Sequence, residues 1–486
     1  MGLYKENMRV LAAFTFFVIF SGCQVAEPPN FVFILADDLG YMDVGAYNSD
    51  TFYKTPNIDQ LAAEGIRFTQ GYAAAPVCSP TRASLLTGLY PSRMATTDYF
   101  GAPQPDGVSS HWTRNKPLLP ARYESQLSHS AVTVAEALLA VGYKTFWAGK
   151  WHLGGQGSYP EDHGFQVNRG GWESGGPYGR GNYFVPYDNP KLEDGPTGEH
   201  LPARLATETV KFIEANQDES FIAYLSFYSV HTPLMARADL QAKYEAEHAA
   251  PTVWGTEGER QVRHTQNHVV YAAMIEAMDE AVGTVLVALD ELGLKHNTVV
   301  IFTSDNGGLS TSEGHPTSNL PLRAGKGWEY EGGIREPFIM RWPMLLDGGQ
   351  IESTPIISPD LMPTLLQIAG LPEPDVTDGV SLLPLLMGQQ MPERDLYWHY
   401  PHYGNQGGSP VSAVRRGDWK LIRFYEDDRE ELYDLAVDVS ESEDMASIQT
   451  EKLNELSNAL DMWLNQVDAR FPTPNPAIVE KSNFHE

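Results

Sequence analysis

The run Cys78-Ser79-Pro80-Thr81-Arg82-Ala83-Ser84-Leu85-Leu86-Thr87-Gly88 places a thiol and a guanidinium four residues apart. Pro80 suits the first turn of a helix, where its missing N–H costs nothing, and Thr87-Gly88 mark the stop. Cys78 therefore heads a helix, where free N–H groups and the dipole favour negative charge. Arg82 falls one turn on, on the same face. That is a nucleophile beside a fixed cation. A second set of residues offers only oxygen: Asp37 and Asp38, then Asp305 and Asn306. With no His/Cys cluster at zinc spacing beside them, such hard donors select Ca²⁺ or Mg²⁺ over soft metals. Taken alone, paired carboxylates after a strand also serve as helix caps or turns.

These residues need elements to carry them. Asn30–Ala36 is an apolar run too short for a helix, and it reads as a strand ending at Asp37-Asp38. Helix-like stretches at 58–64, 132–140, 203–215 and 269–292 then alternate with extended ones at 67–72, 144–148, 221–228 and 298–303. That alternation implies βαβ crossovers and an α/β fold class, with a large, mostly parallel sheet and helices on both faces. Ligands of such sheets lie beyond the carboxyl ends of the strands. Asp37-Asp38, Lys150-Trp151-His152, His231 and Asp305-Asn306 all fall at such ends. The stretch 172–195 is a long loop rich in Gly, Pro and Tyr, in which Trp172, Tyr178 and Tyr183 read either as sugar-stacking walls or as ordinary packing. From about Arg394 the texture changes to strand-like pieces at 396–400, 412–425 and 431–435, followed by a helix at 448–467. This reads as a smaller C-terminal α+β subdomain with an antiparallel sheet.

The Cys78 run resembles the signature of type I sulfatases, C-x-P-x-R-x-x-x-L-x-T-G, at every position. Further blocks of that family follow in order: Asp37-Asp38-Leu39-Gly40, 149–154 (GKWHLG), His231-Thr232-Pro233, 304–308 (SDNGG) and 325–333 (GKGWEYEGG). The resemblance covers the chain from Asn30 to about Asp434. It implies an alkaline-phosphatase-like fold, with a catalytic domain at 28–392 and the C-terminal subdomain at 393–486. It implies a sulfuric ester hydrolase in which a maturation enzyme oxidises Cys78 to formylglycine, whose hydrate is the working nucleophile. Metal ligands carried over are Asp37, Asp38, Cys78, Asp305 and Asn306, around Ca²⁺. Arg82 is expected to hold the hydrate. Lys150, His152, His231 and Lys326 form the basic pocket: lysine is a point-charge donor for a tetrahedral oxyanion, and histidine hands a proton to a leaving alkoxide. The glycines of 325–333 lack the spacings of a phosphate-cradling loop and read as close turns that bring Lys326 over the sulfate. His264, His268 and His315 have no such support, and His399 and His402 read as lining the cleft or facing solvent.

Composition bounds the partners. The chain has 486 residues with 63 acidic and 34 basic side chains, a formal charge of −29. That balance repels phosphate backbones and excludes nucleic acid as the natural partner. Any anionic substrate must depend on a local basic pocket. At the start, Lys5 and Arg9 precede an apolar run from 10 to 20, about half a bilayer span, which breaks at Ser21-Gly22-Cys23. Residues 1–23 thus read as a secretory signal. Cys23 is the candidate for lipidation and membrane attachment, although Phe20 departs from the Leu usual at such sites. The expected location is the periplasm or outer membrane of a Gram-negative bacterium, otherwise secretion, and the expected substrate is a sulfated oligo- or polysaccharide. A phosphonate or phosphodiester hydrolase of the same superfamily and a non-catalytic glycan-binding protein are the alternatives.

Overall fold

The computed structural model describes residues 28–247 and 250–478; the expected signal and Cys23 lie outside them. The central sheet is built from β1 (Asn30–Ala36), β2 (Ile66–Tyr72), β3 (Lys144–Gly149), β4 (Val167–Arg169), β5 (Phe221–Ser226), β6 (Thr298–Ser304), β7 (Arg335–Arg341) and β8 (Gln350–Glu352). Its order is β8-β2-β7-β6-β1-β5-β3-β4, with Ile356–Ile357 added beside β2. Every pairing in it is parallel except those of β7, which runs antiparallel to both β2 and β6.

The pleat of β1 explains the layering. Alternate side chains of a strand point to opposite faces, and Val32, Ile34 and Ala36 join one apolar cluster while Phe31, Phe33 and Leu35 join another. Against the first face pack α1 (Pro56–Ala63) and the long helices Leu201–Ala215 and Val269–Glu291; against the second pack α2 (Cys78–Thr87), α3 (Val134–Leu139) and Leu361–Ile368. A strand buried on both faces has no reason to alternate polar with apolar, so NFVFILA is continuously hydrophobic.

After the sheet the chain forms β9 (Asp395–Tyr400), β10 (Val411–Arg416), β11 (Trp419–Phe424) and β12 (Glu430–Asp434), antiparallel in that order. The single stretch expected at 412–425 is thus a hairpin, turned at Gly417, whose φ of 57° lies in the left-handed region open to glycine. Helix Thr450–Gln466 covers this sheet through Leu456, Leu460, Trp463 and Leu464.

Candidate active site

Four strands deliver side chains to one edge. Asp37 and Asp38 follow β1, Lys150 and His152 follow β3, His231 follows β5, and Asp305 and Asn306 follow β6. Helix α2 begins at Cys78, as its sequence requires, and ends at Gly88, whose φ is 69°. Its first residue meets the strand ends: Cys78 Sγ lies 3.7 Å from Asp37 Oδ1. Ligand atoms of Asp37, Asp38, Cys78 and Asp305 all lie within 4.8 Å of one another, and all four residues are buried.

Cations interleave with these acids. Lys150 Nζ donates to both oxygens of Asp37, at 2.8 and 2.7 Å. Lys326 Nζ lies 2.7 and 2.8 Å from the Asp38 oxygens. The Arg82 guanidinium donates to Asp305 Oδ2 from Nε at 2.8 Å and lies 3.6 Å from Asp37. Its Nη1 donates to Ser226 Oγ and the Lys150 carbonyl. Arg82 therefore braces the carboxylates from beneath. Lys150 is also fully buried, below the cavity floor, whereas Lys326 reaches the cavity.

Glycines bring Lys326 there. A Cβ on Gly307 would stand 1.9 Å from the Gly332 carbonyl oxygen, so segment 325–333 packs directly on the end of β6. Gly307 N–H donates to Gly333 and Lys326 N–H to Gly308.

Three carboxyl groups, of Asp37, Asp38 and Asp305, face three cations, Arg82, Lys150 and Lys326. Burial pushes Asp37 above the carboxylate range, with Lys150 opposing and Asp305 and Asp38 adding to the rise. Burial acts the same way on Asp38, but Lys326 and His231 outweigh it and hold it low. Burial also pushes the Cys78 thiol up to about 12, despite Lys150 and Lys326. The helix N-terminus thus does not yield a thiolate, contrary to the expectation from position alone. An unmodified thiol is a poor nucleophile here.

The two histidines are fixed by their carbonyl partners. A carbonyl only accepts, so the ring nitrogen facing it carries the proton. His152 donates from Nε2 to Phe100 at 3.0 Å, leaving Nδ1 without a partner. His231 donates from Nδ1 to Thr232 at 2.7 Å, leaving Nε2 3.8 Å from Asp38 Oδ2. Burial, then Lys326, lowers His231 to about 4, and burial with Lys150 lowers His152 well below its usual value, so both are neutral bases. Backbone φ values of 62° at Asp38 and 55° at His152 put both in the left-handed region. Such strain gathers where the surrounding structure dictates a side chain's aim.

A cavity of about 360 Å³ opens above Cys78, with His152, His231 and Lys326 in its lining. Cys78, His152, His231 and Lys326 thus line one cavity, and Asp37, Asp38, Asp305, Asn306, Arg82 and Lys150 join them through the contacts above. Tyr178, from the long loop, lines it beside His231. Tyr183 does not: it is buried, with its hydroxyl 2.6 and 2.7 Å from the Tyr228 and His231 carbonyls. Trp172 accepts the His152 N–H through its carbonyl. His399 and His402 neither line the cavity nor face solvent; His399 bonds Ser412 and Arg470, and His402 bonds Thr97. Tyr99, Glu313, Asn405 and Gln406 line the cavity without a warning in the sequence.

The sulfatase family profile matches residues 29–371. The chain belongs to the sulfatase family. A second profile, for the C-terminal region of N-sulphoglucosamine sulphohydrolase, matches residues 324–470. A sulfatase of Formosa agariphila is 32% identical over 521 residues, covering 90% of this chain and 89% of that protein. Human arylsulfatase A is 36% identical over 436 residues, covering 87% and 79%. Among solved structures, Ps i-CgsB in complex with k-i-k-neocarrahexaose superposes with a TM-score of 0.72 at 27% identity, covering 90% of this chain and 93% of that one. The chain is a type I sulfatase of the alkaline phosphatase superfamily, and a sulfuric ester hydrolase.

Proposed function

We propose that this sulfatase hydrolyses sulfate esters of carbohydrates, using residue 78 as formylglycine and a Ca²⁺ held by Asp37, Asp38, Asp305 and Asn306. The observation that carries the reading is the Cys78 side chain among buried oxygen donors, on the floor of a cavity. The donor set fits the ion. Asn306 Oδ1 is buried without a hydrogen-bond partner, while its Nδ2 donates to Asp38 Oδ1 at 2.8 Å. An orphaned carbonyl beside three carboxylates is what a hard cation needs and what a protein interior otherwise avoids. Residue 78 fits its modification as well, since the burial that disarms a thiol does not act through ionisation on a neutral aldehyde. When present, the ion polarises the sulfate and the formylglycine hydrate supplies the attacking oxygen.

The chain's own residues do the rest. With a divalent ion bound, Arg82, Lys150 and Lys326 would leave the site net positive, matched to an anionic ester and to departing sulfate. Lys326 reaches the cavity and holds the charge on the ester oxygens. His231 Nε2 lies on the same side; the neutral ring must first take up a proton there, which it would then hand to the bridging oxygen of the leaving group. His152 Nδ1, unpartnered and uncharged, is placed to accept one from the hydroxyl of residue 78. Arg82 and Lys150 hold Asp305 and Asp37 in place through short ion-pair contacts. Carbohydrate as the substrate class is supported by the neocarrahexaose held in the Ps i-CgsB complex and by Tyr178, an exposed ring at the cavity wall.

Protein from a host with a sulfatase-maturing enzyme should show, by intact mass, the exchange of CH₂SH for CHO at residue 78. It should release sulfate from aryl sulfates and from a panel of sulfated mono- and oligosaccharides. Faster turnover of aryl phosphodiesters, or binding of sulfated glycans without sulfate release, would overturn the reading. Lys5, Arg9, the apolar run 10–20 and Cys23 support export to the periplasm or outer membrane with a lipid anchor; a Cys23→Ala chain that still takes up labelled fatty acid and stays membrane-bound would refute the anchor.

A further inference from the structure

The cavity over Cys78 has cationic and neutral walls except at one place. Glu313 is the one carboxylate among the described residues that line it, facing the same space as Lys326, His231 and Tyr178. Its backbone φ of 52° is left-handed, in a short turn closed by the His315 N–H to Ser312. A non-glycine residue in that region is held by its surroundings. Here they are visible: Oε1 accepts from Asn405 Nδ2 and Gln406 Nε2, both at 3.0 Å. Among the described residues, Oε2 accepts only from the Thr232 hydroxyl, at 3.5 Å. Both carboxamides are neutral, so they orient the group without cancelling its charge. That charge acts on Lys326 and His231 across the cavity.

We propose that Glu313 selects the substituents beside the scissile sulfate, admitting hydrogen-bond donors such as hydroxyls and rejecting a second sulfate or a carboxylate. The inference rests on the sulfate-ester reading above and names the class of ester within it. With the scissile sulfate on Lys326 and the residue 78 floor, the neighbouring ring positions face Glu313. A hydroxyl there donates to Oε2, whose remaining lone pairs have no good partner. A second anion there is driven against a fixed carboxylate in a partly dehydrated site, where like charges repel far more than in water. Discrimination built this way comes from the repulsive contact as much as the attractive one. The sulfated ring in the cavity would then carry one anion, and other charges of a polymer would lie outside it.

Aryl sulfates test this without knowledge of the natural sugar. The matured protein and its Glu313→Gln variant are assayed on 2-hydroxyphenyl sulfate and 2-carboxyphenyl sulfate, with phenyl sulfate as the reference. Differences in leaving-group reactivity cancel when the ratio of kcat/KM values for the pair is compared between the two proteins. The expected result is a hydroxy-to-carboxy ratio that falls by roughly tenfold or more in Glu313→Gln, the loss of a like-charge contact at short range. An unchanged ratio overturns the proposal, as does a wild type that favours the carboxylate. Absence of hydrolysis of phenyl sulfate itself by the matured wild type overturns the hydrolase reading beneath it, which is a separate failure. Should Glu313→Gln not fold, the wild-type ratio is followed as salt rises: compression towards the phenyl sulfate baseline supports the proposal, and a constant ratio sinks it.

Discussion

Replacing Asn306 by alanine separates a metal ligand from a structural amide, because its two ends do different things. The Nδ2 end donates to Asp38 and to the Gly307 carbonyl, at 2.8 and 3.1 Å. The Oδ1 end is buried and satisfies nothing. In metal-free protein, Asn306→Ala loses two donated bonds, worth about 1 kcal/mol each, but removes an orphaned carbonyl of similar penalty. The variant should therefore melt within a few degrees of the wild type in a chelator. With 1 mM Ca²⁺ and a dissociation constant of ~1 μM, the wild type gains about 4 kcal/mol through linkage. At an unfolding entropy of about 2 cal/mol/K per residue, that is a rise of roughly 4 °C for a chain this long. Removing one oxygen donor should weaken the ion by about 100-fold, reducing the gain to about 1.4 kcal/mol and the rise to about 1–2 °C. Scanning calorimetry in EDTA and at stepped Ca²⁺ measures all four states. Equal Ca²⁺-dependent rises in both proteins would remove Asn306 from the ligand set. No rise in either would remove the metal.

Lys326→Met should lower kcat/KM on an aryl sulfate by roughly 100- to 1000-fold, the usual loss for one preorganised donor at a developing charge; a fall below about tenfold would show that Lys326 only balances Asp38. Tyr183→Phe deletes the hydroxyl under the His231 carbonyl and should cost about 1–2 kcal/mol in urea unfolding while also lowering kcat, so a stability change without a rate change would deny it a positioning role. Burial raises Asp98 from 3.8 to about 8, with Tyr99 and Tyr400 opposing, and its neighbour His402 is held neutral. An acid raised in the folded state keeps its proton there while the unfolded chain releases it, so this group's contribution falls as pH rises from about 4 to 8, at up to about 1.4 kcal/mol per pH unit. The melting temperature of Asp98→Asn relative to wild type should accordingly climb between pH 5 and 8, and a flat difference would refute the assignment.

The Cys78 helix was legible because its signals are local: a proline in the first turn, a glycine in the left-handed stop, and a cation at helical spacing. The ends of β1, β3 and β6 were legible because buried parallel strands are short, unbroken apolar runs, and a charged pair directly after one stands out. The antiparallel β7 was not. REPFIMR carries Arg335, Glu336 and Arg341, which obscure a strand pattern, yet burial between β2 and β6 makes it central. His399 misled for a related reason. As one of 14 histidines, it gave no sign that Ser412, its cross-strand neighbour, and the Arg470 carbonyl, beyond the last helix, would occupy both ring nitrogens.

The residues that escaped sequence reasoning fall on the specificity side of the cavity, and the physics explains the division. Chemistry on a sulfate ester needs fixed charges at sub-ångström tolerance, so its residues sit on strand ends and a helix start, where short motifs betray them. On the proposed reading, recognition of the rest of the substrate falls to loops that meet only after folding. Glu313 lies more than 90 residues before the Asn405 and Gln406 carboxamides that orient it, and none of the three falls in a repeated or periodic pattern. Such a trio can be exchanged without disturbing Cys78, Asp37 or Asp305, because it touches none of them. On the proposed reading, that independence would let one floor of oxygen donors and cations serve different sulfate esters, with the choice among them resting on the rim. It also sets the order of experiments: loss of Asn306 or Lys326 should weaken every substrate alike, whereas loss of Glu313 should redistribute rates among substrates. A Glu313→Gln variant that slowed all sulfate esters by one common factor would place that residue with the floor and break the division.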